Sequence, residues 1–212
     1  MTIWPKEVRA DLRHGLLSSM KNEQFTASQY LSRAWETAKK LPTDAFGHDP
    51  FLKTTGIAIA LAGVYEADSK LQLAYQTYAD ALNHMQEGSD KTSRLRPGLS
   101  HAERMRAVAL SHKLGEMAEE LGKPKEEEEQ WLVWSVETVL RDIMGSAPAV
   151  IESAAKMTEK DKENAVLIVD ELKLPKWVVK HDLAAPFEAL GSFYSRAGNV
   201  RYALLSPLMV DV

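Results

Sequence analysis

The chain of 212 residues contains no cysteine. Disulfide bonds, thiolate-ligated metal sites and cysteine nucleophiles are therefore excluded. The sequence also lacks any run of about 18 consecutive apolar residues, so no segment is predicted to span a membrane. Its first residues, MTIWPKEVRADLRHG, lack the apolar core of a signal peptide and are short and mixed in charge for a transit peptide. As given, the chain is therefore predicted to be soluble and to carry no targeting segment.

A basic surplus and catalytic motifs are missing as well. The 26 basic and 30 acidic residues leave a net charge of -4, whereas nucleic-acid-binding domains usually carry a basic face. No two of the six histidines lie three or four residues apart, the spacing that holds a metal on one helix face. The signatures H-E-x-x-H, G-x-S-x-G and G-x-x-x-x-G-K are absent. We therefore expect a non-enzymatic protein with no catalytic, metal or cofactor residues and no nucleic-acid partner, a hydrolytic enzyme being the minor alternative.

The apolar residues that are present follow the helix period. Val8, Leu12, Leu16 and Met20 are each four residues apart, which is helical spacing rather than strand alternation. The segment IAIALAGVYEA (57–67) is apolar enough to predict a helix buried on more than one side. Alanine is frequent, and convincing Asn-Gly hairpin signals are absent. These patterns predict an all-α fold.

Two helix starts can be read from local sequence. Ser100 and Glu103 have the spacing of a capping box, so a helix is predicted to begin at His101. The four glutamates at 126–129 follow Pro124, where their carboxylates would lie in the first turn of a helix near the positive end of its dipole. We expect this acidic run to be a solvated helix start rather than a cation site.

The helical segments repeat one internal pattern, that of a tetratricopeptide unit. Leu190, Gly191, Tyr194, Gly198 and Ala203 match positions 7, 8, 11, 15 and 20 of such a unit, and three earlier segments match in the same register. The residues at position 8 are Gly15, Ala62, Gly115 and Gly191. Small residues at positions 8 and 20 let two helices approach closely, and stacked units bury each other's faces.

The spacing of the units is irregular. Their position-8 residues are separated by 47, 53 and 76 residues, and the last gap has room for a further helical pair. The sequence predicts one tetratricopeptide-like domain over 1–212, a right-handed α-solenoid of about four to five helix pairs. Its units are predicted at about 8–41, 55–86, 108–141 and 184–212, with a helical insertion at about 147–173. Pro207 occupies position 24 of the last unit, so its second helix is predicted to stop near Leu205.

Five segments in this order resemble a known family. They are WPKEVRADLRHGLLSS, AWETAKKL, DPFLKTTGIAIALAGVYE, LGEMAEELGK and FEALGSFYSRAGNVRYAL, within residues 4–205. The order is similar to that of the fungal tetratricopeptide proteins that serve as adaptors of the i-AAA protease at the mitochondrial inner membrane. The resemblance implies a protein of the inner membrane or intermembrane space that binds unfolded proteins and delivers them to the protease. Members of that family carry a presequence and a membrane anchor ahead of the segment that matches 4–12. Neither is recognised in the residues given, which is expected if a leader was removed, if the gene model is short, or if the protein is a soluble relative.

In tetratricopeptide arrays the first helix of each unit lines a concave groove. The register carries this role over to ten residues, namely Arg9, Leu12, Leu16, Met20, Ile59, Gly63, Glu66, His112, Glu116 and Glu119. Chaperone-tail-binding relatives have a lysine and an asparagine where this chain has Leu12 and Leu16, so binding of a C-terminal carboxylate is disfavoured. The groove is predicted to run from apolar to acidic, and we expect protein or peptide partners with apolar and basic segments. The alternative is a scaffold that binds folded subunits through the convex face.

Overall fold

The computed structural model describes residues 4–87, 95–140 and 180–198. Within these ranges the regular secondary structure is helical, which confirms the all-α prediction. The helices are α1 (Lys6–Met20), α2 (Gln24–Lys40), a short 3-10 helix (Thr43–Phe46), α3 (Pro50–Ala67), α4 (Leu71–Gln86), α5 (His101–Glu120), α6 (Lys125–Thr138) and α7 (Lys180–Arg196). The predicted helical insertion at 147–173 and the predicted helix stop near Leu205 lie outside the described residues.

The chain divides into two compact units, Met1–Lys123 and Pro124–Val212. The expectation of one domain over the whole length stays a prediction. In the first unit each helix packs on the next one in the chain from α1 to α5. The central helix α3 also approaches α1 and α5, so these three alternate helices lie near one another. The position of α3 among four neighbours explains why its sequence is apolar on more than one side.

The closest helix approach in the first hairpin is at Gly15. A Cβ atom built on this glycine would fall 2.6 Å from Cγ of Leu31 in α2. The side chain of Leu31 is fully buried, and Ala27 and Ala34 beside it on α2 are buried as well. Small residues at these positions allow the backbones of α1 and α2 to come together around one leucine.

The start of α5 has the predicted capping box. The hydroxyl of Ser100 accepts a hydrogen bond from the backbone N–H of Glu103, and the Glu103 carboxylate accepts one from the backbone N–H of Ser100 at 2.8 Å. The helix begins at His101, as predicted. Two of the orphan backbone donors of this helix end are thereby satisfied.

In the second unit α6 packs on α7. The glutamates that follow Pro124 do lie in the first turn of α6, but the expectation that they are solvated is wrong for Glu128. This residue is only 7% exposed, and its carboxylate accepts a hydrogen bond of 2.6 Å from the guanidinium of Arg196 on α7. The neighbouring Glu129 accepts one of 2.8 Å from the hydroxyl of Tyr194. Two of the four glutamates therefore take part in the contact between α6 and α7. Their hydrogen-bond donors, Tyr194 and Arg196, lie more than sixty residues further along the chain.

Candidate functional site

The ten predicted groove residues come from α1, α3 and α5, three helices of the first unit. We refer to the surface that these helices present through those residues as the α1–α3–α5 face. The ten residues differ in exposure, so each helix contributes in its own way. One of the ten, Leu12, is buried and cannot line an open groove.

The contribution of α1 is set by helix geometry. Residues four apart advance by about 40° around a helix of 3.6 residues per turn, so the series that starts at Val8 drifts off the buried face. Val8 and Leu12 are in the core, whereas Leu16 is 44% exposed and Met20 is 82% exposed. Gly15 and Ser18 complete the buried face instead. Leu12 is therefore a core residue of the first unit rather than a groove residue.

Arg9 is the polar member of the α1 set. Its side chain is exposed, and its guanidinium donates a hydrogen bond of 2.8 Å to the backbone carbonyl of Trp4. The basic group therefore lies beside the start of the helix, at the opposite end of α1 from Leu16 and Met20. The face of α1 consequently changes along its length from basic to apolar.

The contribution of α3 is an open strip of small residues. Gly56 and Gly63 lie two turns apart on one side of α3, and a Cβ atom added at either would meet no atom within 4 Å. Gly63 is exposed, and Ile59 beside this strip is half-buried. The small residues therefore leave an uncovered strip on this side of α3.

The contribution of α5 is polar and mainly acidic. Glu116 and Glu119 are exposed, and His112 is half-buried. The His112 Nε2 atom lies 4.0 Å from the Glu116 carboxylate, one helical turn away. The residues of α5 are therefore mainly acidic, whereas the exposed residues at the end of α1 are apolar.

The tenth residue, Glu66, is held by other helices rather than open. Its carboxylate accepts a hydrogen bond of 2.6 Å from the hydroxyl of Tyr78 on α4. The ammonium of Lys113 on α5 lies 3.1 Å from its second oxygen. Burial and this hydrogen bond to Glu66 raise the pKa of the Tyr78 hydroxyl. Glu66 thus links α3 to α4 and α5, and the sequence register gave no sign of this because both partners lie outside the groove positions.

A second polar cluster lies between α2 and α4. The indole N–H of Trp35 and the ammonium of Lys39 both donate to one oxygen of Asp80, each at 2.8 Å. Burial alone would raise the pKa of Asp80, but the bonds from Lys39 and Trp35 outweigh it and the pKa is lowered. Burial would likewise lower the pKa of Lys39, and its bonds to Asp80 and Glu36 raise it instead.

The imidazole of His84 lies next to this cluster, against two aromatic rings. Its ring centre is 5.5 Å from the rings of both Trp35 and Phe51. Burial lowers the pKa of His84, and the positive charges of Arg96 and Lys39 act in the same direction. The cluster is a packed inter-helix contact, and the polar partner of Trp35 lies 45 residues away in the chain.

The described residues contain neither a cluster suited to a metal ion nor a helix suited to crossing a membrane. Over residues 4–87, 95–140 and 180–198, no three histidine, aspartate or glutamate side chains are grouped so that they could hold a metal ion. None of the helices in the same ranges combines the length and the apolar character needed to cross a bilayer.

Comparisons with known proteins give little to set beside this geometry. No protein-family profile matches the chain, and no curated protein matches it. Among solved structures, the crystal structure of BtubC (BKLC) from P. vanneervenii is similar with a TM-score of 0.41 and 20% sequence identity, over 91% of this chain and 73% of that one. A likeness at this level supports no inference about the fold or function of this chain.

Proposed function

We propose that this chain is a non-enzymatic protein-interaction module that binds apolar polypeptide segments along the α1–α3–α5 face. The observation that carries the proposal is the open side of α3 at Gly56 and Gly63. It lies on a helix near α1, which exposes Leu16 and Met20. An uncovered strip on α3 and exposed apolar side chains on α1 suit an extended or helical apolar segment that is bound with little sequence specificity. Methionine adds to this because its flexible side chain adapts to different partners.

The proposal extends to the architecture. Consecutive packing from α1 to α5, with α3 near both α1 and α5, is what a stack of helical hairpins requires. We infer an irregular tetratricopeptide-like array, a right-handed α-solenoid of about four to five helix pairs in one domain over 1–212. In such an array the first helices of successive units line the same side, which is the side to which the α1–α3–α5 face belongs.

The charge of the face indicates the chemistry of the partner. Glu116 and Glu119 are exposed on α5, and Glu66 is paired with Lys113. A bound segment with basic residues next to its apolar part would place them near the α5 carboxylates. The resemblance to the i-AAA adaptors then gives a biological setting, in which the bound segments are unfolded proteins delivered to a protease at the mitochondrial inner membrane.

Peptide binding to the α1–α3–α5 face can be tested by fluorescence anisotropy. The probe is a labelled peptide with an apolar centre and lysine flanks. Gly63→Gln would cover the open strip of α3 with an uncharged side chain. Ile59→Glu would place a charge beside that strip. Each should weaken binding at least about tenfold, while Gln76→Ala on the exposed side of α4 should leave it unchanged. Equal affinity of the groove variants and the control would reject the proposal.

The charge assignment has a separate test. Glu116→Gln should weaken binding of the lysine-flanked peptide and leave binding of a serine-flanked peptide unaltered. The cellular setting is tested by proximity labelling with the full-length gene, which should enrich subunits of the i-AAA protease. Labelling confined to proteins of another compartment would reject the adaptor role, and the proposal of peptide binding would still stand.

A scaffold for folded subunits is the second candidate, and one observation favours it. Leu73 on α4 is 43% exposed on a second helix of its pair, away from the ten groove residues. If the chain assembles folded partners through that side, Leu73→Glu should abolish co-purification of the partner. Under the same reading, Leu16→Glu combined with Ile59→Glu should leave it intact. Leu12→Glu is unsuitable for this test, because Leu12 is buried and a charge there would unfold the hairpin.

A further inference from the structure

Exposed apolar side chains are concentrated at one end of the first hairpin. Four of the five large hydrophobic residues exposed in the described part of the chain lie within residues 16–25, namely Leu16, Leu17, Met20 and Phe25. They flank the turn that joins α1 to α2, and Phe25 is 68% exposed. We call these four residues the hairpin tip. A monomer rarely leaves such a local concentration of apolar surface in water unless the surface meets something.

The side of α1 that leads to this tip is basic. At about 100° per residue, Lys6, Arg9 and Arg13 fall on the same outward arc of α1 as Leu16, Leu17 and Met20. Phe25, the fourth residue of the tip, lies across the turn on α2. All three basic residues are exposed. The acids of α1 lie off this arc, and one of them, Asp11, is paired with Arg33 of α2 at 2.8 Å. The outward arc of α1 therefore combines positive charge with apolar side chains and contains no carboxylate.

Leu16 and Met20 belong both to the hairpin tip and to the α1–α3–α5 face, whereas Leu17 and Phe25 belong to the tip alone. A peptide partner is usually held in a concave site, but Leu17 and Phe25 project on either side of a turn. Exposed apolar side chains on the same helix arc as basic residues suit an anionic lipid surface, since the apolar side chains enter the headgroup region and the cations further along the helix meet lipid phosphates. The net charge of the chain is -4, so this attraction is local to the first hairpin.

We propose that the hairpin tip docks this chain on an anionic lipid surface. Leu17, Met20 and Phe25 enter the interface, and Arg13 with Lys6 lies against the headgroup phosphates. This docking is peripheral. It shares Leu16 and Met20 with the proposed peptide binding, so the residues that test it separately are Leu17, Phe25, Lys6 and Arg13.

Sedimentation with lipid vesicles tests the docking on the intact chain. Vesicles of phosphatidylcholine with phosphatidylserine should bind the protein, and vesicles of phosphatidylcholine alone should bind it much more weakly. Leu17→Ser with Phe25→Ser should lower the partition coefficient at least about tenfold. Lys6→Gln with Arg13→Gln should lower it about fivefold for each charge removed. Added salt should reduce binding of the native chain and have little effect on the residual binding of the charge variant.

The controls separate this proposal from the others. Leu73→Ser removes an exposed leucine outside the tip and should leave vesicle binding unchanged, as should the groove variant Gly63→Gln. The substituted tip and basic residues are exposed, and circular dichroism checks that each variant is folded. Equal binding of the native chain to both vesicle types would overturn the docking. The docking would also be overturned if neither the native chain nor any variant bound vesicles and the tip variants instead lost binding to a protein partner.

Discussion

The backbone N–H of Phe51 donates a hydrogen bond of 2.8 Å to Oε1 of Glu103, which lies 52 residues further along the chain. The other carboxylate oxygen accepts from the backbone N–H of Ser100. Glu103 is only 2% exposed. One carboxylate therefore caps two helices, because it serves the first turn of its own helix α5 and the first turn of α3. Both helix ends present backbone N–H groups without a partner in the helix, together with a partial positive charge. These groups stabilise the buried carboxylate of Glu103, although neither of its two hydrogen bonds comes from a basic side chain.

Glu103→Ala should destabilise the fold by about 2–4 kcal/mol, because two buried N–H groups lose a charged acceptor. Ser100→Ala removes only the reciprocal bond of the capping box and should cost about 1 kcal/mol. Denaturant unfolding measures both changes. Hydrogen exchange adds a residue-specific readout, since the Phe51 amide should lose protection in Glu103→Ala and keep it in Ser100→Ala. Unaltered protection of Phe51 in Glu103→Ala would contradict the shared cap.

Gly15→Ala should destabilise the first hairpin although alanine is the better helix former. The added methyl group would meet the Leu31 side chain at 2.6 Å and the Leu31 backbone nitrogen at 3.2 Å, and overpacking of this kind costs about 1–3 kcal/mol. Gly63→Ala is the matched control, because the space beside Gly63 is open. It should stabilise the protein by about 0.5–1 kcal/mol. Thermal unfolding of the two variants should move in opposite directions, and a shift of both in the same direction would show that the hairpin adapts.

The stability of the first unit should depend on the titration of His84. Its pKa is lowered in the folded state by burial and by Arg96 and Lys39, against the opposing effect of Glu87 and Asp80. The unfolded chain therefore binds a proton more readily than the folded one as the pH falls below about 6.5. The free energy of unfolding should be highest above that pH and should decrease as the pH is lowered through this range.

His84→Phe retains an aromatic ring beside Trp35 and Phe51 and cannot titrate. As the pH falls below about 6.5, the native chain should lose stability relative to this variant, because the unfolded native chain gains a proton on His84 more readily than the folded one. Asp80, whose pKa is lowered, loses its contribution only as the pH falls below its ordinary value near 3.8, so the two groups act in separate ranges. A pH-independent difference between variant and native chain would rule out a contribution from His84.

Arg196→Ala should loosen α7 from α6 in the second unit. It leaves the buried Glu128 carboxylate without the guanidinium that donates to it at 2.6 Å. Because the arginine side chain is 44% exposed, we expect a cost of about 1–2 kcal/mol rather than that of a fully buried pair. Hydrogen exchange along α6 measures the local effect. Glu128→Gln combined with Arg196→Ala should cost less than the sum of the single changes, and Glu126→Gln at an exposed site should have no effect.

The predictable parts of this protein are those that short-range chemistry controls. The helix period of the apolar residues indicated an all-α fold, and the Ser100–Glu103 pair located the start of α5, because both signals act within a few residues. The register also identified Gly15 as a place of close helix approach. None of these inferences requires knowledge of which helices meet.

The parts that the sequence left open depend on contacts across long separations. Four residues at equal spacing on α1 look alike in sequence, yet Val8 and Leu12 enter the core while Leu16 and Met20 stay exposed, because α2 covers only one side of the helix. Likewise, Glu66 resembles an open groove carboxylate until Lys113 and Tyr78 are brought to it from other helices. Local sequence determined that helices form and where they begin. Only tertiary packing decided which side of each helix is covered and which charges are already paired, since burial and pairing are properties of neighbours that lie far apart in the chain.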